Sequence, residues 1–535
     1  MPTRSLTPNR LCALAAIWIV LVANGAFWKL LFQVQGTGIA SWPFAVSLFI
    51  ALTGLNLLML RLLSPGRALR PMLSLLLLLA VAAGWFMDTY GVALDSQMLR
   101  NVYETNPAEA RDFLGWPLWW RLLWQAGLPI AFIWWVPLPL QGWWRATRDW
   151  VLASLAGLAL VLLAALPMYS SYVSWFRNQH SARYLLAPVN VVVGSTRLLR
   201  KSLATSPPHE QLGLDARRAG AAPARPLLVV LVIGETARAA NFSLGGYARD
   251  TNPLLARRGV YYFSDVTACG TSTAVSLPCM FSGLPREEFE LAQAAHRDSV
   301  LDVLQRAGLA VRWIDNQSGC KKVCDRVPNE PAQGYYPAAC RDGECLDETL
   351  LRALDARLPQ VGADGLLVLH AMGSHGPAYY RRVPADGVAF QPTCATQRIE
   401  TCSDAEIVNA YDNSLRYTDY VLDGLIERLA SASDRIDSVL LYVSDHGESL
   451  GERGLYLHGQ PWLLAPEVQK KVPMLLWFSA AAPSRLQLDT ACLRGRLGAP
   501  ASHDNLAPTL LGLADVQTAA YRPALDLLRA CRGGG

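Results

Sequence analysis

The sequence predicts a helical membrane domain followed by an α/β domain with a mainly parallel sheet between helices. Three observations carry that expectation. The 535 residues are 52% hydrophobic and only 17% charged, with a mean hydropathy of +0.20, which excludes a disordered chain and an ordinary soluble enzyme. The composition is uneven: the first 175 residues hold 11 basic and 6 acidic side chains and 14 of the 17 tryptophans, whereas the remaining 360 hold 37 of each charge. From Pro226 onward, short apolar runs alternate with helical stretches.

Five apolar stretches approach the roughly 20 residues needed to cross a hydrocarbon core. They are Leu11–Phe32, Trp42–Leu63, Pro71–Met87, Leu122–Leu140 and Trp150–Tyr169. The first is longer than a signal-peptide core and is followed by four more, so it reads as a retained anchor. Arg4 and Arg10, then Arg61, Arg67 and Arg70, then Arg145 and Arg148 mark the cytoplasmic connections. An odd number of spans places everything after Tyr169 outside the cytoplasm. Cysteine usage points the same way: Cys12 alone lies in the membrane part and ten lie beyond Trp175, several closely spaced. That pattern reads as up to five disulfides in an oxidising compartment, with connectivity left open. No C-x2-C pair supports a zinc cluster instead.

The expected organisation is a membrane domain over 1–170, an amphipathic linker over 171–225 and a catalytic domain over 226–535. Within the linker, Ser170–Arg200 mixes aromatic, basic and apolar residues, with Pro188 as a helix breaker, and Thr205–Arg225 reads as a flexible bridge. Beyond it, Leu227–Ile233, Ala310–Ile314, Leu366–Leu369, Val439–Val443 and Met474–Phe478 read as strands buried on both faces. Helices are expected at Ser299–Ala307, Asp347–Leu358 and Ala405–Leu429.

Ligands of such sheets gather beyond the carboxyl ends of the strands. Gly234-Glu235-Thr236, Ser444-Asp445-His446-Gly447-Glu448 and His370-Ala371-Met372-Gly373-Ser374-His375 each follow a strand run. Carboxylate and imidazole donors at one edge suit a divalent metal, zinc before manganese. The hydroxyl-rich loop Cys269–Cys279 lies inside a short cysteine pair, and a hydroxyl becomes a nucleophile only beside a metal or base.

G-E-T-A-R-A-x-N-F-S-L-x-G-Y (Gly234–Tyr247), C-G-T-S-T-A-V-S-x-P-C (Cys269–Cys279), G-S-H-G-P (Gly373–Pro377) and S-D-H-G-E-S-L-G-E (Ser444–Glu452) resemble the lipid A phosphoethanolamine transferases, including the enzymes of transferable polymyxin resistance. The resemblance covers nearly the whole chain and implies a periplasmic domain of alkaline-phosphatase/sulfatase type. It implies one tightly bound Zn²⁺ on Glu235, Thr273, Asp445 and His446, room for a second zinc, and Thr273 rather than Thr271, Ser272 or Ser276 as nucleophile. Lys321, His375 and His458 match positions that contact the phosphoethanolamine group or a second zinc, with Asn316 in the same pocket and Glu448 as support. Asn101, Thr105 and Glu109, four residues apart in the outer connection, match residues that help bind the lipid head group.

The implied reaction moves phosphoethanolamine from phosphatidylethanolamine to a lipid A phosphate through a phosphothreonine. The expected partners are those two lipids and the bilayer, with no nucleic acid, and the expected state is a monomer in a bacterial inner membrane. A phosphoglycerol transferase acting on a periplasmic glycan is the rival. A sulfatase is disfavoured because Ser276-Leu277-Pro278 is followed by Cys279 and Met280, without the arginine its cofactor-forming motif needs.

Overall fold

A computed structural model describes residues 5–105, 110–111, 113–139, 142–179, 181–203, 208–219, 225–397 and 399–533. The chain divides into two compact units, residues 1–103 with 113–204, and residues 104–112 with 205–535.

In the first unit, among the described residues, three helices are long and apolar enough to cross a membrane: Ile39–Leu63, Gly66–Tyr90 and Trp143–Val173. A fourth is counted if Pro8–Val22 and Gly25–Gln35 form one span bent by 57°. The expected straight span from Leu11 to Phe32 is therefore broken. At the break, Asn24 Nδ2 donates to the carbonyls of Ile19 (3.0 Å) and Ala187 (3.2 Å), and its Oδ1 accepts from the Ala187 N–H (2.9 Å). Asp88 Oδ1 takes the Ala26 N–H at 2.6 Å and Asp88 Oδ2 pairs with Arg121 at 2.5 Å, while Arg121 also donates to Val22 O at 3.1 Å. Side chains thus take up the backbone groups that a helix break exposes. The expected stretch Leu122–Leu140 starts earlier, as a helical run from Trp116 to Trp135 interrupted by a π turn at Leu123–Gly127. Trp18 Nε1 donates to the carbonyl of Gln125 in that turn at 2.7 Å. Helices Trp42–Leu63 and Trp143–Ala165 approach closely where Gly54 meets Gly157: a Cβ at Gly54 would lie 2.6 Å from Gly157 O. Small residues at a crossing let membrane helices pack backbone to backbone.

The linker forms helices at Tyr169–Asn178 and Val189–Leu203, the second starting after Pro188. Residues 208–219, expected as a flexible bridge, are instead tied to the catalytic unit. Glu210 exchanges backbone hydrogen bonds with His296 and Asp298, Leu212 N donates to Asp298 Oδ2 at 3.1 Å, and Arg217–Arg218 pair with Val516–Gln517.

The catalytic unit is built on a seven-stranded sheet. Its strands are β1 (Leu227–Gly234), β2 (Tyr261–Phe263), β3 (Ala310–Asp315), β4 (Asn329–Pro331), β5 (Gly365–His370), β6 (Asp437–Ser444) and β7 (Met474–Phe478). The spatial order is β2-β7-β6-β1-β5-β3-β4; β6, β1, β5, β3 and β4 are mutually parallel, and β7 is antiparallel to both neighbours. All five expected strands form. The short edge strands β2 and β4 carried no apolar run long enough to announce them.

Every residue of β1 and β6 is buried. Val229, Leu231 and Ile233, with Val439, Leu441 and Val443, share a core with Leu277, Leu301, Leu304 and Leu510. The intervening side chains face a second layer that includes helix Asp404–Ser431. This double coverage explains why the central strands read as unbroken hydrophobic runs. The capping boxes Ser299/Asp302 and Ser403/Glu406 start helices Val300–Arg306 and Asp404–Ser431. Five disulfides form: Cys269–Cys279, Cys320–Cys324, Cys340–Cys345, Cys394–Cys402 and Cys492–Cys531, leaving Cys12 free and buried.

Asp88→Asn strips the charge from the group that holds both Arg121 and the Ala26 N–H. A loss of about 1–3 kcal/mol is expected, read as a lower melting midpoint of the detergent-solubilised protein.

Candidate active site

The site lies where the parallel strands end. Register places Ser444 beside Gly234 and Ile233 beside His370, so the residues that follow β1 and β6, and the last residue of β5, emerge together. Glu235, Asp445 and His446 are all fully buried. His446 Nε2 lies 3.2 Å from Glu235 Oε1, 3.4 Å from Asp445 Oδ2 and 3.3 Å from Thr273 Oγ1. Thr273 Oγ1 donates to Glu235 Oε2 at 2.9 Å. The structure therefore brings Glu235, Thr273, Asp445 and His446 into one cluster.

Thr273 is the first residue of helix Thr273–Phe281, after Ser272, and no side chain caps that helix start. The open N–H groups and the positive end of the helix dipole favour an anion there. The loop is held from three sides. The Cys269–Cys279 disulfide brackets it. The Gly459 N–H donates to Thr271 O at 2.7 Å, and Thr271 Oγ1 donates to Gln460 O at 2.6 Å. His503 Nδ1 accepts the Cys269 N–H at 3.0 Å while its Nε2 donates to Ser444 O at 2.9 Å. Burial pushes His503 down to about 4, which keeps it neutral and able to accept on one nitrogen and donate on the other. This bridging role of His503 depends on the tertiary contact between the loop and the end of β6.

A second set of donors adjoins the first. Glu235, His375 and His458 offer ligand atoms within 4.8 Å of one another, as do Glu235, Asp445 and His446. The rings of His375 and His458 have centroids 5.6 Å apart, and those of His446 and His458 4.3 Å. His458 is returned to the site by the two-stranded ribbon Ser449–Leu450 with Tyr456–Leu457, and its Nδ1 lies 3.3 Å from Glu448 Oε2. The turn carrying His375 is held by Asp347, whose carboxylate accepts the N–H groups of Met372 and Gly373 at 2.8 Å each.

Electrostatics show what the cluster demands. Burial, then the Glu235 charge, pushes the Asp445 carboxyl up to about 6. Burial disfavours the His446 cation, yet Asp445 and Glu235 outweigh it and push His446 up to about 10. Glu235 stays well below the usual carboxylate range because the charges of His446, His375 and His458 overcome its burial. Glu235 Oε1 and Asp445 Oδ2 are buried and have no hydrogen-bond donor among the described residues. Two converging carboxylate oxygens without donors, next to an imidazole nitrogen, fit a divalent cation, and this donor set fits zinc.

Other expected residues take different places. Asn316 turns away, donating to Cys345 O (3.0 Å) and Asp347 Oδ1 (2.8 Å). Its neighbour Gln317, which sequence reasoning missed, donates to Glu235 Oε2 at 2.9 Å. The strand-end rule applied to β3 would have found it. His370, expected just beyond the strand with the other edge donors, is instead the last residue of β5 and fully buried, with Nδ1 2.9 Å from Asp315 Oδ2. Lys321 binds Ser318 through its O (3.2 Å) and Oγ (3.0 Å) rather than a site carboxylate. Asn101 lies in helix Ser96–Glu104, and that helix ends before Thr105, so the four-residue spacing of Asn101 and Thr105 does not put them on one continuous helix. Glu109 lies outside the described residues.

Gly373 has φ +56°, and a Cβ there would meet Glu235 O at 2.6 Å and N at 2.8 Å. Gly373→Ala is expected to destabilise by about 1–3 kcal/mol and to lower turnover by about ten-fold through displacement of Glu235, measured by melting and by initial rates.

Comparison with known proteins agrees with this geometry. A Sulfatase family model matches residues 228–516, and a model described as Phosphoethanolamine transferase EptA/EptB matches residues 52–203. The chain is 42% identical over 468 residues to Phosphoethanolamine transferase EptA of Escherichia coli (strain K12), covering 86% of each. It is 36% identical over 530 residues to Phosphatidylethanolamine transferase Mcr-1 of Escherichia coli, covering 96% of each. The integral membrane lipooligosaccharide phosphoethanolamine transferase A (EptA) from Neisseria meningitidis superposes with a TM-score of 0.95 at 36% identity, over 98% of both chains. The soluble domain of the same transferase aligns over 62% of this chain and all of its own, at 45% identity and a TM-score of 0.60. The chain is an inner-membrane enzyme with its catalytic domain in the periplasm, and it belongs to the lipid A phosphoethanolamine transferases of the alkaline phosphatase/sulfatase superfamily.

Proposed function

We propose that this enzyme transfers phosphoethanolamine from phosphatidylethanolamine to a lipid A phosphate through a phosphothreonine at Thr273, and that it thereby confers polymyxin resistance. The observation that carries the reading is the Thr273 hydroxyl 2.9 Å from Glu235 and 3.3 Å from His446, at an uncapped helix start. Glu235, Thr273, Asp445 and His446 are the residues that would hold Zn²⁺, with Glu235, His375 and His458 as a second set of donors. When bound, the cation supplies Lewis acidity and neutralises charge on the transferred group.

The chain's own residues account for the rest. Gln317 and Thr273 both donate to Glu235 Oε2, so the carboxylate is aimed before substrate arrives. Thr273 Oγ attacks the phosphorus, the bond to the diacylglycerol oxygen breaks, and the threonine proton ends on that departing oxygen. His458, whose Nδ1 lies 3.3 Å from Glu448 Oε2, would move the proton, and the uncapped helix start at Thr273 would offer its N–H groups to the phosphoryl oxygens. A lipid A phosphate oxygen then attacks the phosphothreonine phosphorus and frees Thr273, a ping-pong sequence.

We also read the membrane unit as crossing five times. The bent pair from Pro8 to Gln35 and the interrupted run from Trp116 to Trp135 would add to the three long spans. That count agrees with the basic connections and with a periplasmic catalytic domain. Asn101, Thr105 and Glu109, in the outer connection, and Lys321 complete the head-group contacts of this reading. The enzyme acts as a monomer, since one chain carries the whole donor set.

Lipid A from expressing cells should gain one phosphoethanolamine by mass spectrometry, and Thr273→Ala should abolish the gain and the accompanying polymyxin resistance. A phosphoglycerol mass, or no change in wild type, overturns the reading. Added Zn²⁺ should raise the melting midpoint of chelator-stripped protein, and Asp445→Asn should remove most of that rise.

A further inference from the structure

The helix Trp143–Val173 is the last span before the periplasmic domain, so its Trp143 end lies on the cytoplasmic side. It differs from the other long spans in how little of it is covered. Only 11% of its most apolar window is buried, against 50% in each of Ile39–Leu63 and Gly66–Tyr90. At its cytoplasmic end is a cleft of about 500 Å³ lined by Trp144, Arg145, Thr147, Arg148, Val151 and Leu152.

The lining changes character along the helix. Arg145 and Arg148 are exposed, and Arg145 has no ion-pair partner among the described residues. Arg148 pairs with its neighbour Asp149 at 3.0 Å with two-thirds of its side chain exposed, and Asp149 is the only carboxylate paired there among the described residues. Immediately behind, Trp150 Nε1 donates to the carbonyl of Arg61 at 2.6 Å. Arg61 itself is 4% exposed; its guanidinium reaches only Cys12 Sγ at 3.9 Å, and its Nε has no partner among the described residues. The end of the helix therefore carries an excess of positive charge. Trp143 and Trp144 stack at 4.0 Å above it, and one and two turns below, Val151, Leu152 and Leu155 present bare aliphatic surface.

We propose that this cleft binds one anionic phospholipid of the cytoplasmic leaflet, with its phosphate on Arg145 and Arg148 and an acyl chain along Val151 and Leu152. Cations beside an interfacial tryptophan, over an aliphatic wall, match each part of such a lipid, and basic pockets on the cytoplasmic side of membrane helices recognise its head group. A second copy of the chain fits less well, since it would bring an identical cation pair against this one. The site is separate from the reaction and does not depend on the donor and acceptor proposed above.

The test uses the full-length protein, delipidated in neutral detergent and titrated with phosphatidylglycerol or, separately, phosphatidylcholine. Native mass spectrometry reads the bound lipid and the melting midpoint reads its effect. Wild type should retain one phosphatidylglycerol in preference to phosphatidylcholine, and Arg145→Gln should weaken retention about five-fold. Arg67→Gln removes the same charge from an exposed position outside the cleft and should leave binding unchanged. Thr147→Trp keeps both cations but fills the cleft and should also lose the lipid. Equal retention of the two lipids, equal weakening by Arg67→Gln and Arg145→Gln, undiminished binding by Thr147→Trp, or a lipid-free dimer that buries Trp144 would each overturn the proposal.

Discussion

The catalytic unit is organised around an electrostatic demand at the ends of β1 and β6. Two fully buried carboxylates, Glu235 and Asp445, both lie within 3.4 Å of His446 Nε2, and each keeps an oxygen that no described group satisfies. Like charges buried together are costly, and here the compensating charge inside the protein is the imidazolium of His446. That arrangement is a poor end state for a fold and a good one for a cation. A divalent ion held there would take over the compensating charge now carried by the His446 proton and leave the carboxylates and the imidazole in their ligand forms. The Thr273 hydroxyl sits inside the same field, 2.9 Å from Glu235 Oε2 and 3.3 Å from His446 Nε2.

Meeting that demand requires backbone to come unusually close to the carboxylates. Gly373 lies against the main chain of Glu235, and Gly447 lies against the carbonyl of Val468, so that a Cβ on either would collide with backbone. Asp347 joins these approaches: it holds the turn carrying His375 and also receives Asn316, whose neighbour Gln317 reaches Glu235. Three loops from three strands are thereby locked to one another through buried carboxylates, so the site's geometry belongs to the sheet and not to any one loop.

Much of this was legible in the sequence because burial on both faces leaves a plain signature. The runs at 227–233 and 439–443 have only one plausible place in an α/β domain, and the residues after them are then at the ligand edge. What stayed hidden follows from contacts distant in sequence. Nothing local separates Asn316 from Gln317; the choice is made by Asp347, 31 residues from Asn316. His503 looks like a cap until Cys269 and Ser444 are seen on its two nitrogens. In the membrane unit hydropathy marks where apolar helix exists but not where it breaks. The bend at Asn24 and the π turn at Leu123–Gly127 are stabilised by Ala187, Asp88 and Trp18, which no sliding window connects to them.

The disulfides supply the last step. Cross-linking stabilises a fold mainly by restricting the unfolded chain, and the effect grows with the length of the loop closed. Four of the five bridges here close separations of only 4, 5, 8 and 10 residues, where that gain is smallest; Cys492–Cys531, at 39, is the exception. Their positions explain them better than their lengths do. Cys269–Cys279 encloses Thr273, Cys320–Cys324 encloses Lys321, and Cys340–Cys345 sits where Asn316 donates to the Cys345 carbonyl. Cys320 and Cys324 belong to the hydrophobic core, and Cys269 and Cys279 are buried, so these short staples fix the loops they bracket against the packed interior. Rigidity is bought locally, at the chemistry, and the oxidising side of the membrane is what makes that form of rigidity available.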